Sequence, residues 1–367
     1  FLILLKTQYG VKSKINRIRI MSLVKIPKKS VEYFKKHQDE IFESGNLAEG
    51  PWNKKLSEKI LEFSGSKKAV PVNSNGSGLV AILLIFKTYF NRKDIMIQSN
   101  TMYGVKTIVG TAGFNLVNYI DCQIDTLMPN FENVKNAIEN YKGNKKQLVV
   151  MLSDIGGIIN PDIEKISKFL KSNDILLLED AAHSFGSTLN GKFAGTFGDA
   201  GVYSYYSTKA IFAGEGGVAV TNNEEIGNLL QDFIAYDRFK QKMPIGCNIR
   251  LSEIQALMIY SVVDNYKEII SNKTEIAGNF IEVCKKNEIN FINQNENKNI
   301  GNYYKFTIIS PEDEVVKKYP KIKTTTSKVY DYALGNNKDI PSKHLCLPIW
   351  YGLDRSIINN VLKELER

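Results

Sequence analysis

The pattern of apolar and polar positions along the chain predicts strands that alternate with helices. Short, continuous apolar runs typical of buried strands lie at residues 69–72, 94–100, 114–121, 147–154 and 174–182. Helical spacing, or an apolar run of helix length, marks residues 31–63 with a break at 44–51, and residues 79–90, 103–112 and 162–171. Continuous apolar strands between helices are typical of a parallel sheet covered on both faces. The pattern therefore predicts an α/β fold.

Beyond residue 251 the pattern changes. One long amphipathic helix is predicted over residues 252–287, followed by shorter strands in "INFIN" and "YYKFTIIS" and by a terminal helix at 357–365. We place the start of a smaller C-terminal α+β domain inside the long helix, which gives a large domain over 21–255 and a small one over 256–367. The length of 367 residues agrees with two domains, because a single core stops growing below that size.

Charge changes this picture only at the N-terminus. The formal net charge is +9, but residues 1–20 carry five basic side chains and no acidic one, so the remainder has 43 basic against 39 acidic residues. Met21 begins "MSLVKIPKKS", and we expect residues 1–20 to be a non-native or upstream segment. The residues after position 20 therefore have a net charge of +4 and contain no basic motif, so we predict no nucleic-acid partner. The apolar run at residues 1–5 is too short to span a bilayer, so we expect a cytoplasmic protein without a membrane partner.

Cysteine and histidine are sparse. Four cysteines lie far apart without a CxxC pair, and the chain has three histidines. We therefore expect no metal site, and free thiols in a reducing compartment.

Candidate chemistry lies in loops that follow the predicted strands, where parallel sheets bind their ligands. The loop "NSNGSG" (residues 73–78) opens a helix, and its N–H groups with Ser77 predict a phosphate seat, although a plain turn is an alternative. In "LLLEDAAHS", Glu179 and Asp180 end an apolar strand. Side chains alternate along a strand, so we expect at most one of them to face the site. A structural salt bridge is the alternative interpretation of this pair.

Two further loops complete the set. "FGDAGVYSYYSTK" offers Ser204 and Lys209, and "PIGCNIRLSEIQA" places Asn248 and Arg250 before the next helix. A lysine considered alone is usually solvated, and lowering its pKa by three units takes about 4 kcal/mol. Pyridoxal phosphate would account for all four loops, because it needs a phosphate seat, an acid at its pyridine nitrogen and a lysine.

With these residues in view, the chain resembles the DegT/StrS-type nucleotide-sugar aminotransferases, which are fold type I pyridoxal-phosphate enzymes. The resemblance runs from "SGNLAEGP" to "LCLPIWYGLD", and residues 179–222 are its specific part. It implies a three-layer αβα large domain with a mainly parallel sheet. It also implies transfer of an amino group, expected from L-glutamate, to a keto group of a nucleotide-linked deoxysugar in surface-polysaccharide or lipopolysaccharide biosynthesis.

The resemblance also assigns residues. It implies that Lys209 holds the cofactor covalently and shuttles the proton, and that Asp180 pairs with the pyridine nitrogen. The remaining cofactor-binding residues that it implies are Gly76, Ser77 and Ser204 at the phosphate, His183 near the ring oxygen, and Asn248, which reaches the phosphate of a neighbouring subunit. The last assignment implies a homodimer with shared active sites.

Two departures from the family pattern bear on the substrate. The aromatic residue that covers the cofactor ring falls on Met102 by strict alignment, whereas its chemistry favours Tyr103, which we adopt. The segment "LSDIGG" replaces the family's usual "HLYG", and the C-terminal segment near "YDYALGNN" is shortened. These departures leave the nucleotide, the sugar and the aminated carbon open.

Two alternative functions follow from the same residues. A sugar dehydratase of this fold uses the same cofactor, but that branch of the family replaces the lysine by histidine, and Lys209 is present here. A non-catalytic regulatory protein that retains the fold is the other alternative.

Overall fold

The computed structural model describes residues 25–236, 238, 240–310, 315–319, 322 and 328–366. The prediction for residues 1–20 lies outside the described residues. The helices are α1 Lys28–Ser44, α2 Pro51–Ser64, α3 Asn75–Tyr89, α4 Tyr103–Thr111, α5 Phe131–Glu139, α6 Ile163–Ser172, α7 Glu224–Ile234, α8 Glu253–Val263, α9 Tyr266–Lys286, α10 Val315–Lys318 and α11 Arg355–Leu365. The strands are β1 Lys68–Val72, β2 Asp94–Gln98, β3 Asn115–Ile120, β4 Leu148–Ser153, β5 Leu176–Asp180, β6 Thr188–Leu189, β7 Lys192–Phe193, β8 Ala200–Ser204, β9 Gly217–Thr221, β10 Asn299–Ile300, β11 Phe306–Ile309 and β12 His344–Leu347.

The central sheet has seven strands in the order β1-β9-β8-β5-β4-β2-β3. Strand β9 runs antiparallel to both of its neighbours, and the other pairs are parallel. Apolar side chains cover both faces, as β8 shows: Val202 packs with α3 and α7, whereas Tyr203 packs with the core that holds α2 and α8. The predicted α/β class with a mainly parallel sheet between helical layers is confirmed.

A separate apolar cluster lies in the C-terminal part of the chain. It joins α9, α11 and the antiparallel pair β11–β12, with Phe280 and Phe306 at its centre. The division at residues 255 and 256 stays a prediction.

The predicted helix over residues 252–287 is wrong as a single element. Helix α8 ends at Val263 and α9 begins at Tyr266. Between them Asn265 donates its side-chain amide to the Ser261 carbonyl and to Ser30 Oγ of α1. An asparagine that binds nearby backbone in this way competes with helical hydrogen bonds, which accounts for the break.

Two shorter differences have local causes. Helix α3 begins within the predicted turn, at Asn75, because Ser74 Oγ accepts the N–H of Ser77 and caps the helix at 3.1 Å. The predicted strand "INFIN" forms only an isolated bridge between Phe291 and Ile308.

Candidate active site

The carboxyl ends of three neighbouring parallel strands meet at one edge of the sheet. Strands β4, β5 and β8 end at Ser153, Asp180 and Ser204, and all three residues are buried. Lys209 follows β8 by five residues, and α3 begins beside β8. The structure therefore brings together the strand-end loops that the sequence singled out.

Asp180 is held in one orientation. Asn75 donates its side-chain amide to Oδ1 at 3.0 Å, and Ser153 donates its hydroxyl to Oδ2 at 3.0 Å. The N–H of Ala182 adds a third donor to Oδ1 at 3.3 Å. The three donors come from α3, from β4 and from the segment after β5, so three separate parts of the chain fix the orientation of this carboxylate.

Glu179 points to the opposite side of the sheet. Its carboxylate accepts the backbone N–H groups of Gly195, Phe197 and Gly198, and burial raises its pKa to about 7. Only one carboxylate of the pair thus belongs to the site, as strand alternation predicts. Backbone N–H groups of the 195–198 loop bind the Glu179 carboxylate and take the place of the salt bridge that we considered as an alternative.

The loop at residues 73–78 and the end of β8 lie side by side. Ser74 bridges to Gly216, and Ser204 pairs with the adjacent Gly217. Gly217 allows this approach, because a Cβ there would stand 2.8 Å from the N atom of Asn75. The N-terminus of α3, which includes Gly76 and Ser77, therefore lies next to the strand end that carries Ser204. A helix N-terminus with hydroxyl donors is suited to a phosphate group.

Lys209 lies half-buried at this edge. Its Nζ lies 5.4 Å from the centre of the Tyr304 ring. Burial lowers the pKa of Lys209 to about 8, the positive charge of Lys305 acts in the same direction, and Asp180 opposes both. A lysine with this pKa is partly neutral near pH 8 and able to act as nucleophile and base.

His183 is buried between aromatic rings. Its ring centre lies 4.3 Å from that of Tyr304 and 6.2 Å from that of Tyr330. Burial, followed by the charges of Lys209 and Lys305, lowers its pKa well below the usual value, so the imidazole is neutral. Its Nδ1 is buried without a hydrogen-bond partner among the described residues. An orphaned polar atom of this kind fits a ligand that supplies the missing partner.

Tyr103 and Asn248 lie farther out. Tyr103 is 55% exposed at the start of α4, its N–H donates to the hydroxyl of Tyr332, and Met102 beside it is also exposed. The choice of Tyr103 over Met102 as ring cover stays a prediction. Asn248 is exposed, and the next residue, Ile249, accepts the N–H of Asn73 at 2.8 Å. Asn248 therefore lies near the 73–78 loop and faces solvent.

Sequence reasoning missed three residues at this edge: Tyr304, Lys305 and Tyr330. Tyr304 and Lys305 stand at the head of "YYKFTIIS", before β11, and Tyr330 lies in the "YDYALGNN" region. The one available signal is Lys305, a charge placed against an apolar strand.

The residues present fit pyridoxal phosphate. The helix N-terminus with Ser77 and Ser204 suits its phosphate, the fixed Asp180 carboxylate suits a protonated pyridine nitrogen, and the unpartnered His183 Nδ1 suits a ring oxygen. Lys209, whose Nζ lies 5.4 Å from the centre of the Tyr304 ring at the same edge, is an amine of the kind that such a cofactor requires.

The fold is that of the fold type I pyridoxal-phosphate enzymes, and the residues at the sheet edge fit their cofactor. A family model for the "DegT/DnrJ/EryC1/StrS aminotransferase family" matches residues 29–366, so the chain belongs to that family. The resemblance seen in the motifs is thereby confirmed, and with it the fold type and the expected cofactor of the family.

Three relatives illustrate the range of this family. GDP-perosamine synthase of Escherichia coli O157:H7 is 27% identical over 245 residues, which is 65% of this chain and 64% of that protein. The structure of Helicobacter pylori PseC, described as an aminotransferase involved in the biosynthesis of pseudoaminic acid, has a TM-score of 0.79 at 20% identity and covers 93% of this chain and 96% of PseC. An E. coli GDP-4-keto-6-deoxy-D-mannose-3-dehydratase with bound hydrated PLP has a TM-score of 0.75 at 20% identity, over 93% and 97% of the two chains. The chain aligns with just under two thirds of the length of the first curated relatives.

The described residues offer neither a membrane-spanning helix nor a cluster of metal ligands. No helix among them is long and apolar enough to cross a membrane. Within the same part of the chain, no group of three or more His, Cys, Asp or Glu side chains is placed to hold a metal ion.

Proposed function

We propose that this protein is a pyridoxal-phosphate-dependent aminotransferase that moves an amino group from an amino acid, expected to be L-glutamate, to a keto group of a nucleotide-linked deoxysugar. The observation that carries the proposal is the placement of Lys209, with its lowered pKa, at the same sheet edge as the fixed carboxylate of Asp180. When bound, the cofactor would supply an electron sink that acidifies the carbon bearing the amino group.

The chain's own residues have separate tasks in this proposal. Ser77, Ser204 and the N–H groups at the start of α3 would hold the phosphate. Asp180 would keep the pyridine nitrogen protonated, and its three donors prevent it from turning away. His183 would bind the ring oxygen through its unpartnered Nδ1.

Lys209 would act as both anchor and base. Its Nζ would hold the cofactor and would carry the proton at the donor's Cα. A pKa of about 8 keeps part of the population neutral at working pH, which general base catalysis requires. In the second half of the cycle the same group would return a proton while the keto-sugar receives the amine.

A homodimer with shared active sites belongs to the proposal. The exposed position of Asn248 near the 73–78 loop supports it, because a partner's phosphate would be reached from that surface. The cytoplasmic location expected from the sequence stays a prediction.

Similarity to GDP-4-keto-6-deoxy-D-mannose 3-dehydratases, among both the curated relatives and the solved structures, supports the dehydratase alternative. Lys209 argues against it here, since an amine at this position recaptures the cofactor, whereas the dehydratase branch carries histidine.

The test is transfer of ¹⁵N from labelled glutamate to a panel of nucleotide-linked keto-sugars, followed by mass spectrometry of the sugar product. We expect one sugar to gain a single ¹⁵N together with an equivalent amount of 2-oxoglutarate. A sugar that loses water and gains no nitrogen would support the dehydratase. Cofactor binding without any turnover over the whole panel would support the regulatory alternative.

A further inference from the structure

Another lysine, which is buried, lies beside the candidate active site. Lys305 is 9% exposed, and its Nζ lies 5.1 Å from the centre of the Tyr304 ring, the same ring that Lys209 Nζ approaches to 5.4 Å. The distance between the Nζ atoms of Lys209 and Lys305 therefore cannot exceed the sum of these two distances. Tyr304 also contacts His183, which places Lys305 among the groups at the sheet edge.

The backbone of Lys305 is fixed before any ligand arrives. Its N–H donates to the carbonyl of Gly156 at 2.8 Å, and its carbonyl accepts the side-chain amide of Gln294 at 2.7 Å. Three residues earlier, Asn302 donates to the carbonyls of His183 and Phe185 at 2.8 and 3.0 Å. The loop at 302–305 is thus fastened to the segment that follows Asp180.

Two other lysines, Lys209 and Lys273, lie close enough to Lys305 to be affected by its charge. The groups that act on it or feel its charge are Lys209, Lys273, His183 and the Cys346 thiol. Among the described residues, no carboxylate lies within 4 Å of the Nζ of Lys305, Lys209 or Lys273. Asp180, whose charge acts on Lys209, is already bound by Asn75 and Ser153. Burial of an ammonium without a counter-ion is unfavourable, so this position favours a small anion.

We propose that Lys305 binds a carboxylate of the amino-acid donor. The inference rests on the proposed function, since the donor's amine must reach the place of Lys209 Nζ, and a carboxylate of the same molecule then lies within a few ångströms of it. A buried ammonium suits such a compact anion, whereas a diphosphate that carries a nucleoside requires an open approach. Both the α-carboxylate and the distal carboxylate of glutamate have this chemistry.

The first experiment measures binding of unreactive probes to the cofactor-loaded enzyme. Dissociation constants of glutarate and butyrate are determined by calorimetry for wild type, Lys305→Met and Lys305→Arg. We expect Lys305→Met to weaken glutarate about 30-fold and Lys305→Arg to restore most of the affinity. Unbranched methionine approximates the lysine stem, and removal of an uncompensated buried charge is compatible with folding.

Lys273→Met is the matched control. Lys273 is 3% exposed, and the same substitution removes a buried ammonium that makes no contact with the Tyr304 ring. We expect it to change glutarate binding less than threefold. Equal weakening by Lys273→Met and Lys305→Met, or no weakening by either, would overturn the proposal.

A spectroscopic measurement separates an electrostatic role from a structural one. Loss of the positive charge of Lys305 is expected to raise the midpoint pH at which the visible absorbance of the lysine-bound cofactor titrates, and Lys305→Arg is expected to leave it near the wild-type value. An unchanged midpoint in Lys305→Met would count against Lys305 as a charge facing the site.

Donor kinetics distinguish the two carboxylates. A rise in KM for both glutamate and alanine in Lys305→Met assigns the α-carboxylate, and a rise for glutamate alone assigns the distal one. A rise confined to the KM of the keto-sugar would refute a donor site. Because glutarate binding and the half-reaction with amino acids require no sugar, failure to aminate any nucleotide sugar would refute the proposed function and leave the inference standing.

Discussion

The candidate site has two sides whose polar groups are satisfied differently. The strand-end side consists of residues 73–78, Asp180, Ser204 and Lys209. The loop side consists of residues 302–305. On the strand-end side, Asp180 accepts three hydrogen bonds, and the N–H of Ser77 donates to Ser74 Oγ in the same loop. On the loop side, the N–H groups of Asn302 and Lys305 and the carbonyl of Lys305 are hydrogen-bonded, while the Lys305 ammonium lies buried with no described carboxylate within 4 Å. The first side is organised to hold a fixed group. The second is organised to receive a charge that arrives with the substrate.

The largest expected effect tests the strand-end side. Lys209→Ala removes the proposed anchor and base, and we expect the amination rate to fall about 10³-fold. The visible absorbance of lysine-bound cofactor should also be lost. Lys285→Ala, an exposed lysine at the end of α9, is the control and should retain full activity. Full activity in Lys209→Ala would remove the basis for assigning chemistry to this side.

The second-largest expected effect concerns Gly157, whose backbone contacts the loop side. Gly157 has φ +111°, and a Cβ there would stand 2.2 Å from Asn302 Oδ1 and 2.6 Å from the N atom of Tyr304. We expect Gly157→Ala to lower the free energy of unfolding by about 3 kcal/mol and to displace the 302–305 loop. Urea unfolding measures the first effect and glutarate affinity the second.

Gly191→Ala is the control for backbone strain alone. Gly191 has φ +76°, but nothing lies within 4 Å of a Cβ at that position. We expect a cost of about 1 kcal/mol and unchanged glutarate affinity. Equal costs for the two variants would show that the loops do not depend on the close contact at Gly157.

A third prediction concerns pH and the excess of buried cations near the loop side. Burial, with the charge of Lys305, lowers the pKa of Lys273 from 10.5 to about 7. Between these values the unfolded chain binds more protons than the folded one, so this group makes the free energy of unfolding rise with pH. On going from pH 9 to pH 7, we expect the free energy of unfolding of Lys273→Met to increase by about 2 kcal/mol relative to that of wild type. Urea unfolding at both pH values measures this change, with exposed Lys285→Met as the control. The same pH dependence in Lys273→Met and wild type would contradict the prediction.

The smallest effect concerns the orientation of Asp180. Asn75→Ala removes the donor to Oδ1 and a second hydrogen bond to the carbonyl of Val202 at 2.9 Å. Because Ser153 and Ala182 still hold the carboxylate, we expect cofactor affinity to fall only about tenfold. Titration of the apoenzyme with pyridoxal phosphate measures this. Asn279→Ala, an exposed asparagine of α9, should bind as wild type does, and a similar loss in both variants would argue against an orienting role.

The two sides also differ in how far the sequence predicts them. Asp180, Ser204 and Lys209 follow apolar runs that are recognisable as strands, and parallel strands bring such ends to one edge. Lys305 reaches the same edge through a hydrogen bond to Gly156, which lies 149 residues earlier in the chain. No local periodicity encodes a contact of that kind. The break between α8 and α9 escaped prediction for a similar reason, since one of the contacts of Asn265 is to Ser30 of a distant helix.

The attachment of the 302–305 loop has a consequence for altering the proposed choice of amino donor. The N–H groups of Asn302 and Lys305 donate to the carbonyls of Gly157 and Gly156, so the path of the loop does not depend on the side chains at 304 and 305. Libraries that randomise these two positions can therefore change charge and shape at the site without rebuilding the scaffold. The two glycines and Asn302 are the positions that such a redesign should leave untouched.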